Sequence, residues 1–176
     1  SFSSLSLTIE LATCAPLSSA QSDAKLSPGL GTVINAEQAR QLDLIASAED
    51  GLPAGSGTAF QGREVYAAQC AACHGADGKG GAAKQPLVGG SMKSAAAPLR
   101  TVGSYWPYAT TLFDFIRRAM PANAPKTLSD TEVYQVVAYV LYMNGIVDQY
   151  KIVDADSLPG IKMPNAEGFV DASGAY

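Results

Sequence analysis

The chain has one histidine, three cysteines and one tryptophan among its 176 residues, and no apolar run approaching the ~20 residues a helix needs to cross a bilayer. Each scarcity excludes something. One imidazole and three thiols, with Cys14 far from the other two, fall short of the four nitrogen or sulfur ligands of a structural zinc site. A single imidazole also rules out iron held by two histidines of the same chain. Charged residues make up only 16 % of the sequence and the net charge is −4, which argues against nucleic acid and against a general attraction to anionic membrane. What is plentiful is ordinary: 47 % apolar residues, in a length that accommodates one domain plus sizeable extensions.

The rare residues are concentrated. Residues 70–74 read Cys-Ala-Ala-Cys-His, the CxxCH arrangement in which two thiols take a haem covalently and the adjacent histidine binds its iron. Cys70 and Cys73 lie about one helical turn apart, so both sulfurs can reach the vinyl groups along one edge of a porphyrin, and His74 follows directly. A thioredoxin-like redox pair would close a strand in a βαβ unit, whereas Gly62 to Ala72 is compatible with a helix running into the motif. The expected cofactor is one covalent haem c, and the expected chemistry is electron transfer.

With His74 as the lone imidazole, the sixth iron ligand is methionine, an unusual group, or water. Four methionines compete. Met143 lies in the apolar helical run Val136 to Met143, where methionine is core filler, and Met92 sits in a Gly/Ser/Lys loop only 18 positions after His74. Met120 ends a helical stretch, and the following Pro121 stops the helix and holds the chain extended, which lets the thioether turn inward. Met120 is therefore the expected ligand, and Met163, in a second Met-Pro pair beyond the last helix, is the alternative.

Taken together these residues resemble the class I cytochrome c family. Gly62 and Tyr66 look like its first-helix Gly-x-x-x-aromatic pair, Cys70, Cys73 and His74 are its haem signature, Pro86 resembles the proline whose carbonyl orients the histidine, and Met120 matches its methionine. Tyr139 stands where the family packs an aromatic of the final helix across Gly62. The flanks are similar to cytochrome subunits of molybdenum sulfite and sulfur dehydrogenases: Gly51 to Thr58, Thr101 to Pro121, and Leu158-Pro-Gly-Ile-Lys-Met-Pro-Asn165. That resemblance implies an all-α class I cytochrome fold, a large dehydrogenase partner containing molybdopterin, and a downstream cytochrome or oxidase. It leaves open the oxidised substrate. A free shuttle, a cytochrome subunit of another dehydrogenase or respiratory complex, and a haem enzyme or gas sensor with an open iron position are the competing readings.

Patterning divides the chain into an arm, 1–57, a haem domain, 58–147, and a tail, 148–176. In the arm, Leu5, Leu7, Ile9 and Leu11 alternate with polar residues at the strand period, suited to pairing with the edge of a partner's sheet. Asn35 with Gln38 opens a helix to about Ala48, bearing Ala39, Leu42 and Ile45 or Ala46 as its apolar stripe, and Gly51 to Gly57 reads as a hinge. Helices are expected at Ala59 to Cys70, Thr110 to Ala119, and from the Ser129 cap to about Asn144, where Gly145 ends the last one. Its buried face is Val133, Val136, Val137, Val140 and Leu141. A glycine-rich loop, Gly75 to Ala97, borders the haem, and the tail wraps the surface.

Arg100, Tyr105 and Trp106 can each donate a hydrogen bond to a haem propionate. Arg117 and Arg118 form either a positive docking patch or a solvated helix face. Cys14, without a partner, reads as a buried small hydrophobe. Residues 1–13 lack the basic start of a secretion signal, yet thioether attachment of haem implies export, so the expected location is the periplasm, with a signal removed before Ser1.

Overall fold

The computed structural model describes residues 31–35, 37–38, 51–82, 85–93 and 98–170, in two units, Ser1–Leu42 and Asp43–Tyr176. The expected strand at Leu5 to Leu11, Cys14, and the stripe from Ala39 to Ala46 lie outside the described residues. In the first unit, the Asn35 side chain accepts a bond from the Gln38 amide at 2.8 Å and the Gln38 side chain accepts from the Asn35 amide at 3.0 Å. That reciprocal pair satisfies two otherwise orphaned donors at a helix start.

The second unit is all-α, with four α-helices among its described residues: α1, Ala59–Gln69; α2, Ala71–His74; α3, Ala109–Ala119; and α4, Asp130–Met143. α1 opens with a capping box that the sequence reading overlooked, Thr58 with Gln61. Ser129 and Glu132 form the expected one on α4. α4 ends as its sequence dictates: Gly145 adopts φ +69, its amide bonds to Tyr142 O at 2.9 Å, and Ile146 N bonds to Leu141 O at 3.0 Å. This is a Schellman motif, which consumes carbonyls that would otherwise be left open.

α1 and α4 cross at Gly62. A Cβ built there would lie 1.8 Å from Gln135 O and 3.0 Å from Tyr139 Cβ, so only glycine permits this approach. One turn further on, the Tyr66 and Tyr139 rings pack at 5.2 Å between centroids. α3 contributes Leu112, Phe113 and Ile116 to the other side of α4, with Phe113 against Tyr134 at 4.5 Å. Val133, Val136, Val137, Val140 and Leu141 are all buried, each worth about 1.5–3 kcal/mol relative to exposure.

Two stretches differ from the sequence reading. Residues 51–57, expected as a hinge, are packed: Leu52 touches the core, the Tyr134 hydroxyl donates to Pro53 O at 2.9 Å, and a Cβ at Gly57 would meet Gln135 N at 2.5 Å. Ser56–Gly57 (β1) pairs antiparallel with Val153–Asp154 (β2), in the register Ser56↔Asp154 and Gly57↔Val153. The tail, expected to wrap the surface, instead inserts Val153, Leu158 and Met163 into the core. Pro159 lies in a short 3-10 turn, Leu158–Gly160, and Pro164 in a turn, and neither prevents burial of its neighbours, which is why their presence misled. The core thus draws on residues on both sides of positions 58 and 147. Among the described residues no helix is long and apolar enough to cross a membrane.

Candidate metal centre

Cys70 is at once the C-cap of α1 and the N-cap of α2. From it the chain makes one turn, with Cys73 N and His74 N both bonding to Cys70 O, at 3.1 and 3.0 Å, so the two sulfurs and the imidazole issue from a single rigid loop of backbone. Neither cysteine is in a disulfide; Cys70 is half-buried and Cys73 exposed. Burial, with a smaller contribution from Cys73, pushes the Cys70 thiol up to about 11.

The imidazole is oriented from behind. His74 Nδ1 lies 3.1 Å from Gln85 O; a carbonyl can only accept, so Nδ1 carries a proton, which in the neutral ring leaves Nε2 the lone pair a metal needs. The expectation attached this role to the carbonyl of Pro86; the structure gives it to Gln85, one residue earlier. Proline restricts the residue before it to extended backbone. Pro86 itself is half-buried beside this contact.

The turn after the histidine is fastened at several points. Gly75 reverses the chain at φ +82, Tyr66 donates its hydroxyl to Gly75 O at 2.8 Å, and Gly80 N bonds to His74 O at 2.9 Å. Burial, then the neighbouring Cys70, Tyr139 and Asp77, push the Tyr66 phenol up to about 12, so it remains a donor. Leu87 N and Val88 N both bond to Gly78 O, at 2.7 and 3.1 Å, closing residues 85–89 into a strap behind the imidazole.

Of the methionines, Met120 is the C-cap of α3, extended at φ −121 and ψ 146, and half-buried against the core. Met163 is only 4 % exposed. Met143 rests near Gly78, as a filler should.

Among the described residues Arg100, Tyr105 and Trp106 commit no side-chain donor to a hydrogen bond. The Arg100 guanidinium lies 5.0 Å over the Tyr105 ring, Tyr105 meets Phe169 edge-on at 5.3 Å, and Trp106 meets Phe115 edge-on at 5.6 Å. Arg117 pairs with Asp130 at 2.9 Å and Arg118 with Asp114 at 2.7 Å, so both charges are already answered within the chain, which weakens the docking-patch reading.

The family described as Cytochrome C oxidase, cbb3-type, subunit III matches residues 57–140. A chain of the crystal structure of the sulfane dehydrogenase SoxCD from Paracoccus pantotrophus superposes with a TM-score of 0.72 at 33 % identity, over 85 % of this chain and 75 % of that one. This chain belongs to the c-type cytochromes, related to those of sulfur dehydrogenases. The thiosulfate dehydrogenase of Stutzerimonas stutzeri (strain A1501) is 32 % identical to the cytochrome over 93 residues, 50 % of this chain and 28 % of that protein, so the cytochrome spans less than a third of that relative's length.

The residues present in the cytochrome fit a haem: two thiols and a metal-ready imidazole on one turn, and half-buried apolar groups, Leu87, Trp106 and Met120, resting on the core with a face still uncovered. Sequence reasoning missed the groups that hold this arrangement. Thr101 and Ser104 bond each other and the carbonyls of Gly89 and Leu99, and Asn144 bonds the strap. The only signal was Asn144 beside Gly145, which reads equally well as an ordinary helix end.

Proposed function

We propose that this cytochrome carries a single haem c, joined covalently through Cys70 and Cys73, and accepts electrons from a periplasmic molybdopterin-containing dehydrogenase of sulfur compounds, sulfite or sulfane sulfur. It passes them to a downstream cytochrome or oxidase. When bound, the haem supplies one-electron ferric/ferrous chemistry; the chain supplies attachment, ligands and surroundings. The observation that carries the reading is the fixed tautomer of His74, whose Nδ1–H is spent on Gln85 O so that Nε2 is free for iron.

Met120 is the sixth ligand. Its support is that Met120 caps the C-terminus of α3 in extended backbone and is half-buried, whereas Met163 is enclosed by the core. A methionine ligand favours the ferrous state and raises the potential, as an acceptor for a dehydrogenase requires. Arg100, Tyr105 and Trp106 answer the propionate charges; their side-chain donors being uncommitted among the described residues supports this reading. The partner assignment rests on the likeness to the sulfane dehydrogenase SoxCD, and the part of the expected 1–57 arm that precedes the packed residues 51–57 is the segment that meets the partner.

The match to a cbb3-type oxidase subunit family favours a second reading, a cytochrome subunit of a respiratory complex. Purification of the tagged cytochrome from its own periplasm separates the two. A copurifying large subunit with molybdopterin, and haem reduction on adding sulfite, thiosulfate or a sulfane-sulfur donor, support the first. Copurification with an oxidase, and no reduction by any of these compounds, supports the second.

A further inference from the structure

The Asn144 side chain sits at a junction of three segments. Its Nδ2 donates to Leu87 O at 3.1 Å and to Val140 O at 2.9 Å, and its Oδ1 accepts from Gly89 N at 3.4 Å. The loop leading to α3 presses on the same amide, since a Cβ at Gly103 would lie 2.0 Å from Asn144 Oδ1. Residues 87 and 89 are the far half of the strap whose near end, Gln85 O, accepts the His74 Nδ1–H. On its other side the strap is held by Gly78 O. The strap is therefore held by the Gly78 carbonyl, by the Thr101 hydroxyl, which donates to Gly89 O, and by the Asn144 amide, and Asn144 is the only side chain among the described residues that bonds its backbone at two points.

We infer that Asn144 is a positioning residue for the iron ligand: it sets the strength of the His74 Nδ1–H···O=C bond by fixing the strap, and through that bond the donor power of Nε2. This rests on the haem reading above. The chemistry is general. A histidine that donates its second N–H to a carbonyl is a more basic ligand, and such outer partners tune a metal's properties without touching it. A more basic donor favours ferric iron, so slackening the strap raises the potential. Asn144 has ordinary dihedrals, φ −90 and ψ 3, which alanine can adopt, so the side chain rather than the backbone is what the amide is needed for.

The test is made on the haem-loaded cytochrome as wild type, Asn144→Ala and Val153→Ala, the last being a core truncation remote from the strap. Hydrogen exchange of the His74 Nδ1–H and of the Gly89 amide is followed by NMR in the ferrous protein, and the midpoint potential is measured by titration. Asn144→Ala is expected to exchange the Nδ1–H at least tenfold faster and to shift the ferric/ferrous equilibrium at least threefold toward ferrous, about 28 mV for one electron. Val153→Ala should lower stability and move neither. If Asn144→Ala does not fold, Asn144→Asp, which keeps the shape but offers Leu87 O and Val140 O no donor, is read in the same way. Unchanged exchange and potential in the loaded variant overturn the inference alone, and absence of haem c from the wild-type protein overturns it together with the functional reading.

Discussion

Replacing Gly62 by alanine tests whether the crossing of α1 and α4 holds this fold. The new Cβ would sit 1.8 Å from Gln135 O, against 3.4–4 Å for an ordinary contact, so one helix must retreat by well over an ångström. The obstacle is backbone, which cannot rotate away. Overpacking of this kind costs up to about 3 kcal/mol, while glycine-to-alanine inside a helix returns about 1 kcal/mol. The expected net loss is about 2 kcal/mol, or a fall in Tm of about 4–8 °C for a domain of this size. Urea unfolding of the haem-loaded protein, followed by far-ultraviolet circular dichroism and by the haem absorbance, should show a lower midpoint with an unchanged slope. Ala67→Gly, at an exposed position of the same helix, isolates the propensity effect and should cost about 1 kcal/mol. A Gly62→Ala protein as stable as wild type, or more so, would refute the reasoning, because it would mean that the close approach is not required.

The far-red absorption band that reports an iron–thioether bond should vanish in Met120→Ala and persist in Met163→Ala; the reverse outcome moves the ligand into the tail. Ser129→Ala removes half of the α4 capping box and should cost about 1 kcal/mol in chemical denaturation. Its partner Glu132 has its carboxyl held below the usual carboxylate range, chiefly by the Ser129 hydroxyl and then its amide. That contribution is present above the unfolded carboxylate pKa and is lost as pH falls through the lower folded one, so the acid-side loss of stability should be shallower in Ser129→Ala. Burial pushes the Tyr134 phenol up to about 12, so its contribution is complete below pH 10 and is lost between the unfolded value of 10.0 and about 12. Tyr134→Phe, besides losing the bond to Pro53 O at about 1 kcal/mol, should flatten that alkaline fall, and an alkaline limb identical to wild type would count against it.

The haem motif and the three long helices were legible because their signals are local. CxxCH is a fixed spacing, Ser129-Asp-Thr-Glu132 is a cap with a physical mechanism, and the valines of α4 repeat at the helical period. The cap of α1 was equally local, Thr58 with Gln61, and was passed over because the glycine-rich run before it read as hinge. The carbonyl behind His74 was placed one residue late, since a spacing locates a proline but not which carbonyl of the turn faces the ring. Asn144 and the Thr101–Ser104 pair were illegible for a deeper reason. Their partners lie in other segments, Asn144 with Leu87 and Gly89, Thr101 with Gly89, and a polar residue in a loop carries no mark of a distant carbonyl that it will satisfy.

The tail is the place where local reading failed most instructively, and the failure bears on the redox site. Prolines and short apolar stretches after Ile146 look like a surface strap, yet Lys162 bridges to Tyr108, the residue that caps α3, and Asn165 Nδ2 donates to Tyr105 O at 2.8 Å. Between those two contacts Met163 is buried. The segment Lys162 to Asn165 thus clamps the loop that carries Tyr105 and Trp106 and launches the helix ending at Met120. A methionine at that spot fills an irregular gap between loop and core, so packing alone accounts for the second Met-Pro pair. It also accounts for why the resemblance at the two ends of the chain, around Gly51 and around Met163, accompanies the one at Met120: β1, β2 and the Met163 segment fold onto the same α3–α4 core and hold from outside the loop that leads into α3.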